Sequence, residues 1–461
     1  MSILGAFAVP HPPIILPAVG HGEEKKIQKT IDAYREAMRE AAALQPDTIV
    51  LTSPHAQMYA DYFHISPGKA AKGDFSQFRA PELKVEAEYD TAFAEAIAQE
   101  AGNAGIAAGT LGERNAALDH GTMIPLVFLS EFTTRYRLVR IGLSGLSMLE
   151  HYALGECIAR ASERLGRHTV FIASGDLSHK LKEDGPYGFV PEGPVFDREC
   201  TEALGSADFL RLLTIDSKMA NRAAECGLRS FWIMAGALDG KAVRSSLLSY
   251  EGPFGVGYGI ASFAIDGEDE KRRFRTQIEQ TEKERLAEKK AKEDPWVRLA
   301  RHSIEHYVRT GTFAELPEGL PQEMLREKAG AFVSLHKDGQ LRGCIGTTGP
   351  RQNSVAEEIL YNAISAAIHD PRFSPVMPDE LDKLEYSVDV LGKPEPIASK
   401  AELDVHRYGV IVESGGRSGL LLPDLDGVDT VEEQIDIARR KGGIPDGARL
   451  TLRRFEVVRH R

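Results

Sequence analysis

The sequence predicts an α/β domain with a mixed central sheet flanked by helices, followed by a smaller α+β domain. A chain of 461 residues is long enough for two or three domains. Apolar runs alternate with helical patterns over residues 1–265, whereas short strands dominate residues 295–461. The intervening residues 266–294 are almost wholly charged and carry no large apolar stripe. We therefore expect a charged linker, helical or extended, between two separate domains.

The first domain begins with a predicted buried strand from Ile3 to Val9, which the prolines of PHPP end because proline cannot continue a sheet. Further β-branched and apolar runs predict buried strands, and the amphipathic stretches between them predict helices. Residues 242–265 read as two strands joined at EGPFG, so one edge of the sheet is expected to be antiparallel. The other predicted strands lie within 48–56, 136–145 and 168–179, and the predicted helices within 23–44 and 91–102.

The second domain begins with a predicted helix from residue 295. Residues 331–346 read as two short strands, and Asp338-Gly339 predicts the hairpin turn between them. A second helix is predicted within 354–369. The remaining strands are predicted within 384–392, 408–423 and 449–458.

Composition excludes several classes of protein. The net charge of −12 disfavours nucleic-acid binding, which needs a basic surface. The four cysteines form no CxxC pair, so neither a zinc ribbon nor a disulfide framework is expected. No run of about 18 apolar residues occurs, so no membrane span is expected. The start MSILGAFAVPHPP lacks the basic region of a signal peptide, so we expect a cytoplasmic protein.

Histidines follow the ends of three predicted strands. His11 lies in PHPP, His55 in SPHA and His179 in GDLSH, while His120 lies where a helix is predicted to start. Ligands of open α/β sheets bind at the carboxyl ends of the strands. Imidazole is both a common metal ligand and the usual acid–base group near neutral pH. A single loop histidine more often only touches solvent, but the repeated position favours a common site.

Two histidines and one carboxylate would form the facial triad of non-haem Fe(II) enzymes, which leaves positions open for substrate and O₂. Glu251, in the glycine-rich stretch SYEGPFGVGYG, offers such a carboxylate. Glu251 could instead cap a turn, and Asp176 could orient a helix or an imidazole. These alternatives stay open at the level of the sequence.

The strings HPP, SPHA, DHG, GDLSH and the final E(x)₃GxGY resemble the class III extradiol ring-cleaving dioxygenases, with the Memo family sharing the fold. The resemblance includes the beta subunit of protocatechuate 4,5-dioxygenase. It implies that His11, His55 and Glu251 bind Fe(II), with Zn(II) possible in purified protein. It also implies that His179 is the acid–base catalyst and that His120 is a further pocket histidine. The Memo family has a cysteine near the third-ligand position, where this chain has Glu251 nearby.

The second domain resembles the AMMECR family through LRGCIGT, residues 341–347, and HDPRFSP, residues 369–375. Cys344 is either a small buried core residue or a thiol at a pocket whose pKa Arg342 lowers. The fusion of both modules is similar to proteins of the AMMECR–Memo–radical SAM systems. That resemblance implies Memo-like and radical SAM partner proteins.

The sequence thus supports two main hypotheses. In the first, the protein is an Fe(II)-dependent, extradiol dioxygenase-like oxidoreductase acting on a small aromatic diol and O₂. In the second, it is a Memo-like metal-binding module that acts with a radical SAM partner without ring cleavage. A pure interaction protein leaves the strand-end histidines unexplained. No nucleic acid or membrane is expected as a partner.

Overall fold

The chain divides between Gln280 and Thr281 into two units, a position within the predicted linker 266–294. The structure is a computed structural model that describes residues 2–337, 339–425 and 427–461. Each unit has its own hydrophobic core, so each is described by itself. Among the described residues, no helix combines the length and the apolar character needed to cross a lipid bilayer.

A six-stranded mixed sheet forms the centre of the first unit, which confirms the predicted α/β domain. Its first four strands are β1 (Ile3–Val9), β2 (Thr48–Ser53), β7 (Arg137–Gly142) and β8 (Thr169–Ser174), and its last two are β9 (Lys241–Glu251) and β10 (Tyr258–Glu268). The order is β7-β2-β8-β1-β10-β9. The first four run parallel, whereas β10 and β9 add an antiparallel edge, as expected for residues 242–265.

Helices cover both faces of this sheet, and every residue of β2 and β8 is buried. Strands that bury both faces read as continuous apolar runs, which is why these strands are visible in the sequence. Two apolar clusters form, one on each face. The helices are α1 (Pro17–Gly20), α2 (Gln28–Ala43), α3 (Thr91–Asn103), α4 (His120–Ser130), α5 (Met148–Leu165), α6 (Glu192–Ser206), α7 (Phe209–Leu213), α8 (Ser217–Ala223) and α9 (Leu228–Ala237).

Two small ladders lie outside the main sheet. Short parallel strands β3 (Phe63–His64) and β6 (Ala108–Gly109) pair with each other. An antiparallel ribbon of β4 (Ala70–Phe75) and β5 (Ala80–Glu88) carries Phe78 at its tip. The ribbon is largely exposed along its length, so its sequence lacks the apolar run that predicts a buried strand.

The second unit is built on a seven-stranded antiparallel sheet, which confirms the predicted α+β class. The sheet order is β12-β11-β13-β17-β15-β16, and β14 also pairs with β17. Asp338 of the predicted hairpin turn lies outside the described residues. The strands are β11 (Ala331–Lys337), β12 (Gln340–Gly346), β13 (Leu384–Leu391), β14 (Glu395–Ile397), β15 (Tyr408–Ser414), β16 (Arg417–Leu421) and β17 (Thr451–His460), and the helices are α11 (Pro295–Thr310), α12 (Gln322–Arg326), α13 (Val355–Ile368) and α14 (Val431–Lys441).

Most of the charged segment forms one helix, α10 (Phe274–Lys292). Phe274 and Ile278 near its start are buried in the core of the first unit. Farther along, Arg285 pairs with Glu385 of the second unit at 2.5 Å, and Lys289 pairs with the same carboxylate. The helix is therefore divided between the two units.

Candidate metal centre

His11 and His55 meet at the carboxyl ends of β1 and β2. Their Nε2 atoms lie 3.0 Å apart and their rings are perpendicular. Cys226, just before α9, places its Sγ 3.7 Å from Nε2 of His11. Across the described part of the chain, these donor atoms form the one group of three or more that could hold a metal ion, all within 4.8 Å of one another.

The two donor separations measured from Nε2 of His11 fit a single transition-metal ion. Metal–nitrogen bonds of about 2.0–2.1 Å place two nitrogens 3.0 Å apart at roughly a right angle about the ion. A metal–sulfur bond of about 2.3 Å then accommodates the 3.7 Å separation of sulfur and nitrogen at an angle near tetrahedral. Two imidazoles and a thiolate are also ligands that Zn²⁺, iron and copper accept.

The pKa values of both histidines are lowered, which favours the neutral form that binds metal. Burial, with His55 beside it, lowers the pKa of His11 to about 3. Burial also lowers the pKa of His55. Two neutral rings that face each other through Nε2 at 3.0 Å share one proton in an N–H···N hydrogen bond. A bound metal ion would have to take the place of that proton.

Cys226 is a residue that the sequence analysis missed as a ligand. Its Sγ lies 3.3 Å from the backbone N–H of Asp176, which donates to it. Burial, together with Asp176 and Glu225, raises the pKa of the Cys226 thiol. The bare thiol therefore keeps its proton, and a bound metal would have to displace it. One isolated cysteine before a helix gives no local signal, because only the fold brings it to the histidines.

Glu251, the predicted third ligand, is not part of this group. Both hydrogen bonds to its Oε2 come from Thr30, one from the backbone N–H and one from the hydroxyl, each at 2.8 Å. Glu251 ends the edge strand β9, and Thr30 lies in the first turn of α2. The carboxylate therefore joins a strand end to a helix start, close to the turn-capping alternative left open by the sequence.

His120 lies beside His11 and His55. Its ring centroid is 4.0 Å from that of His55 and 5.4 Å from that of His11. Phe78, from the tip of the β4–β5 ribbon, packs edge-on against His120 at 5.2 Å. Burial and the neighbouring histidines lower the pKa of His120 to about 3. His120 is therefore a neutral ring held between His55 and Phe78.

His179 approaches the centre from the loop after β8. Its Nδ1 donates to the carbonyl of Ala224, and its Nε2 lies 3.9 Å from Oδ2 of Asp176. Oδ1 of Asp176 accepts the backbone N–H of His11 at 2.7 Å. Burial raises the pKa of Asp176. Asp176 thus lies between the main chain of His11 and the ring of His179, close to the orienting role that the sequence left open.

The two residues predicted as a second-domain site do not interact as a cation and a thiolate. Arg342 binds Glu380 through two hydrogen bonds, of 3.1 and 2.9 Å. Ser334 donates to Sγ of Cys344 at 3.1 Å, and burial raises the pKa of that thiol. Arg342 is therefore not found to lower the pKa of the Cys344 thiol as expected. Both residues lie on the edge strand β12, where hydrogen bonds to Glu380 and Ser334 hold them.

Comparison with known protein families gives one family match for each domain. The family described as the catalytic LigB subunit of aromatic ring-opening dioxygenase matches residues 5–261. The chain belongs to this LigB family. The AMMECR1 family matches residues 297–460. The predicted fusion of an extradiol dioxygenase-like domain with an AMMECR domain is thereby confirmed.

The relatives include a protein that matches the whole chain and proteins that match about a third of it. Protein CA_C1420 of Clostridium acetobutylicum is 42% identical over 473 residues, covering 100% of both chains. A Thermotoga maritima protein is 53% identical over 171 residues, covering 37% of this chain and 98% of its own.

Two solved structures were also found to be similar. Uncharacterized protein PH0010 from Pyrococcus horikoshii covers 36% of this chain and 88% of its own, at 37% identity and a TM-score of 0.33. Uncharacterized protein JW3007 from Escherichia coli K12 covers 57% of this chain and 99% of its own, at 17% identity and a TM-score of 0.37.

Proposed function

We propose that the LigB domain binds one transition-metal ion through His11, His55 and Cys226, and that it acts as a Memo-like metal module that does not cleave aromatic rings. The third donor carries the proposal. A thiol lies beside the two imidazoles, whereas the carboxylate of Glu251 is engaged by Thr30. Extradiol-type chemistry on a facial triad relies on a carboxylate in that position. Replacing a hard oxygen donor by sulfur favours softer ions.

Fe(II) is the native ion that we propose, and Zn(II) is the ion expected to compete for the site in purified protein. Imidazole and thiolate accept both, and zinc stands above iron in the general order of affinity. When bound, the ion would supply a Lewis acid or a redox centre. The four cysteines are free, consistent with the reducing cytoplasm in which we propose the protein works.

His179 is the residue that we propose moves protons at this site. Because its Nδ1 donates to Ala224, the neutral ring presents the lone pair of Nε2 on its other side. The carboxyl group of Asp176, 3.9 Å from that nitrogen, would stabilise the imidazolium formed when His179 takes a proton. His120, kept neutral by burial, would line the space beside the ion without carrying charge.

Ring cleavage of a small aromatic diol with O₂ is the second candidate function. It is supported by the LigB family match and by the presence of His179 and His120 around the histidine pair. In this second candidate, His179 and His120 act on a bound aromatic diol. Cys226 then takes the position that a carboxylate holds in the facial triad.

The AMMECR1 domain accompanies the LigB domain in the same chain. A relative from Clostridium acetobutylicum matches the whole length of the chain, so the same two-domain span occurs there. We propose that both domains act together with Memo-like and radical SAM partner proteins. Co-purification of the full chain with each candidate partner, compared with the chain lacking residues 295–461, tests this proposal.

Two single variants of the full chain test the metal site. Metal-free protein is titrated anaerobically with Fe(II) and with Zn(II), and bound metal is counted per chain. We expect one ion in the wild type and in Glu251→Gln, and loss of tight binding in Cys226→Ser. Retention of metal by Cys226→Ser together with loss by Glu251→Gln would restore the carboxylate site and contradict the proposal.

The formation of ring-opened product from catechols separates the two candidate functions. The Fe(II)-loaded wild type is supplied with O₂ and a panel of catechols, and a His179→Ala variant serves as the control. We expect no ring-opened product from the wild type. Ring-opened product in the wild type that disappears in His179→Ala would establish the second candidate instead.

A further inference from the structure

The hydroxyl of Ser174, at the end of β8, joins a metal ligand to the turn that carries His120. Nδ1 of His11 lies 3.0 Å from Oγ of Ser174. The same Oγ lies 2.6 Å from the carbonyl oxygen of Gly121, which follows His120 in the chain. Ser174 is fully buried, so water does not compete for these contacts.

The direction of these two hydrogen bonds follows from counting protons. A carbonyl oxygen only accepts, so the short contact to Gly121 requires that Ser174 donates its single hydroxyl proton there. The oxygen of Ser174 can then only accept from His11, and Nδ1 of His11 must carry a proton. In a neutral imidazole with a proton on Nδ1, Nε2 carries the lone pair. That lone pair faces His55 and Cys226.

A second serine, Ser53, also forms a hydrogen bond at the start of α4, but with different partners. Ser53, at the end of β2, donates to Oδ1 of Asp119 at 2.6 Å and accepts the backbone N–H of His55 at 3.2 Å. Ser53 therefore contacts the main chain of His55, and neither of its two hydrogen bonds involves the ring of His55. Of these two serines, only Ser174 touches a ring nitrogen of a ligand histidine.

We propose that Ser174 is a positioning residue that fixes His11 in the tautomer with its proton on Nδ1, so that Nε2 is available to a metal ion. The inference rests on the proposed metal-binding function, and it adds the residue that selects the binding-competent form of the ligand. Without the Ser174 hydroxyl, His11 can move its proton to Nε2, and the proton then blocks the donor atom.

Three variants of the full chain test this role. Ser174→Ala removes the acceptor, and Ser174→Thr restores a hydroxyl. Ser162→Ala is a matched control, because Ser162 is an equally buried serine of the same domain that donates to the carbonyl of Arg167. Thermal unfolding of each variant establishes that it is folded before binding is measured.

Metal affinity is measured by competition with a chelating dye for Zn(II). We expect Ser174→Ala to weaken binding by about 10–100-fold, the usual effect of removing a partner of a ligand histidine. Ser174→Thr is expected to recover most of the affinity, and Ser162→Ala to match the wild type. Binding by Ser174→Ala within twofold of the wild type would overturn the proposal.

Nitrogen NMR of ¹⁵N-histidine-labelled, metal-free protein gives a readout that a merely structural role would not move. We expect the His11 signals, assigned by their loss in His11→Gln, to report a proton on Nδ1 in the wild type and a mixture of tautomers in Ser174→Ala. The same tautomer in both would overturn the proposal. Failure of the wild type to bind metal would instead contradict the proposed function, while this measurement still decides the role of Ser174.

Discussion

At the scale of single residues, two cysteines of similar burial have different chemical surroundings. Cys226 and Cys344 are both half-buried residues whose thiol pKa values are raised by desolvation, yet their neighbours differ. Cys226 faces two neutral imidazoles, which favour exchange of its proton for a metal ion. Cys344 faces a serine hydroxyl, and its main chain is held by Asp370 and Arg372. The first environment fits the ligand role proposed for Cys226, and the second fits a structural role for Cys344.

We expect Cys344 to resist alkylation in the native protein. Its raised pKa keeps the thiol protonated near neutral pH, and the thiolate is the reactive form. Iodoacetamide labelling followed by mass spectrometry should show modification of Cys344 at least roughly tenfold slower in the native protein than in denaturant. Rapid and selective native labelling at Cys344 would identify a working thiol and contradict this assignment.

His151 is expected to make the first domain sensitive to acid. It is fully buried, and burial lowers its pKa to about 3 from an ordinary value of 6.5. Below pH 6.5 the unfolded chain gains a proton that the folded domain excludes, so the free energy of unfolding falls as the pH falls from 6.5 towards 3. This contribution amounts to about 2 kcal/mol between pH 7 and pH 5.

The variant His151→Phe isolates this effect. The raised pKa values of the buried carboxyls Asp197 and Glu225, each about 7, act in the opposite direction, but they are common to both proteins. In a Trp296→Phe background, the fluorescence of Trp232 follows unfolding of the first domain by urea. The variant should lose less stability than its parent between pH 7 and pH 5, and parallel curves would refute the prediction.

Among the elements, the ends of β1, β2 and β8 meet the start of α4 at close quarters. An added Cβ at Gly121 would lie 2.5 Å from Oγ of Ser53 and 3.1 Å from Oδ1 of Asp119. Ser53 is buried and hydrogen-bonded, so it cannot move aside easily. The approach of the helix to the sheet therefore depends on a residue without a side chain at this position.

We expect Gly121→Ala to lower the free energy of unfolding by about 1–3 kcal/mol and to weaken metal binding, because overpacking displaces the turn next to His55. The control is Gly102→Ala in α3, where an added Cβ has open space and alanine favours the helix. Urea unfolding and metal competition measure both effects. Equal stability of Gly121→Ala and the wild type would show that the turn can move.

Most of the fold and two of the three proposed ligands follow from the sequence. β2 and β8 are visible because both of their faces are buried, and His11 and His55 are visible because they follow such strands. Cys226 could not be found in this way, since it is brought to the site by the packing of α9 rather than by a strand end. Glu251 lies in the expected hairpin, but local spacing cannot specify that its carboxylate contacts Thr30.

In the whole chain, the division into two units does not coincide with the change in composition. The charged segment begins at residue 266, yet Phe274 and Ile278 belong to the core of the first domain. Arg275 binds Glu156 at 2.8 Å, and the backbone N–H of Phe274 donates to Asp239. Two apolar residues in a highly charged segment form no stripe, which is why the sequence does not reveal their burial.

We expect a fragment of residues 1–280 to be more stable than a fragment of residues 1–265. The longer fragment keeps two buried apolar side chains, each contributing about 1.5–3 kcal/mol. Thermal unfolding of the two fragments measures the difference, and residues 281–461 should fold separately as the control. Equal unfolding temperatures for the two first-domain fragments would show that the start of α10 is dispensable.

The three donors of the metal centre are far apart along the chain, at positions 11, 55 and 226. During synthesis, the two histidines leave the ribosome long before the cysteine, so an emerging chain offers only an incomplete pair of ligands. The complete site arises only when α9 has docked beside the carboxyl ends of β1 and β2. Binding of the proposed ion would therefore have to follow the docking of α9, and the metal available at that stage would decide which ion occupies the site.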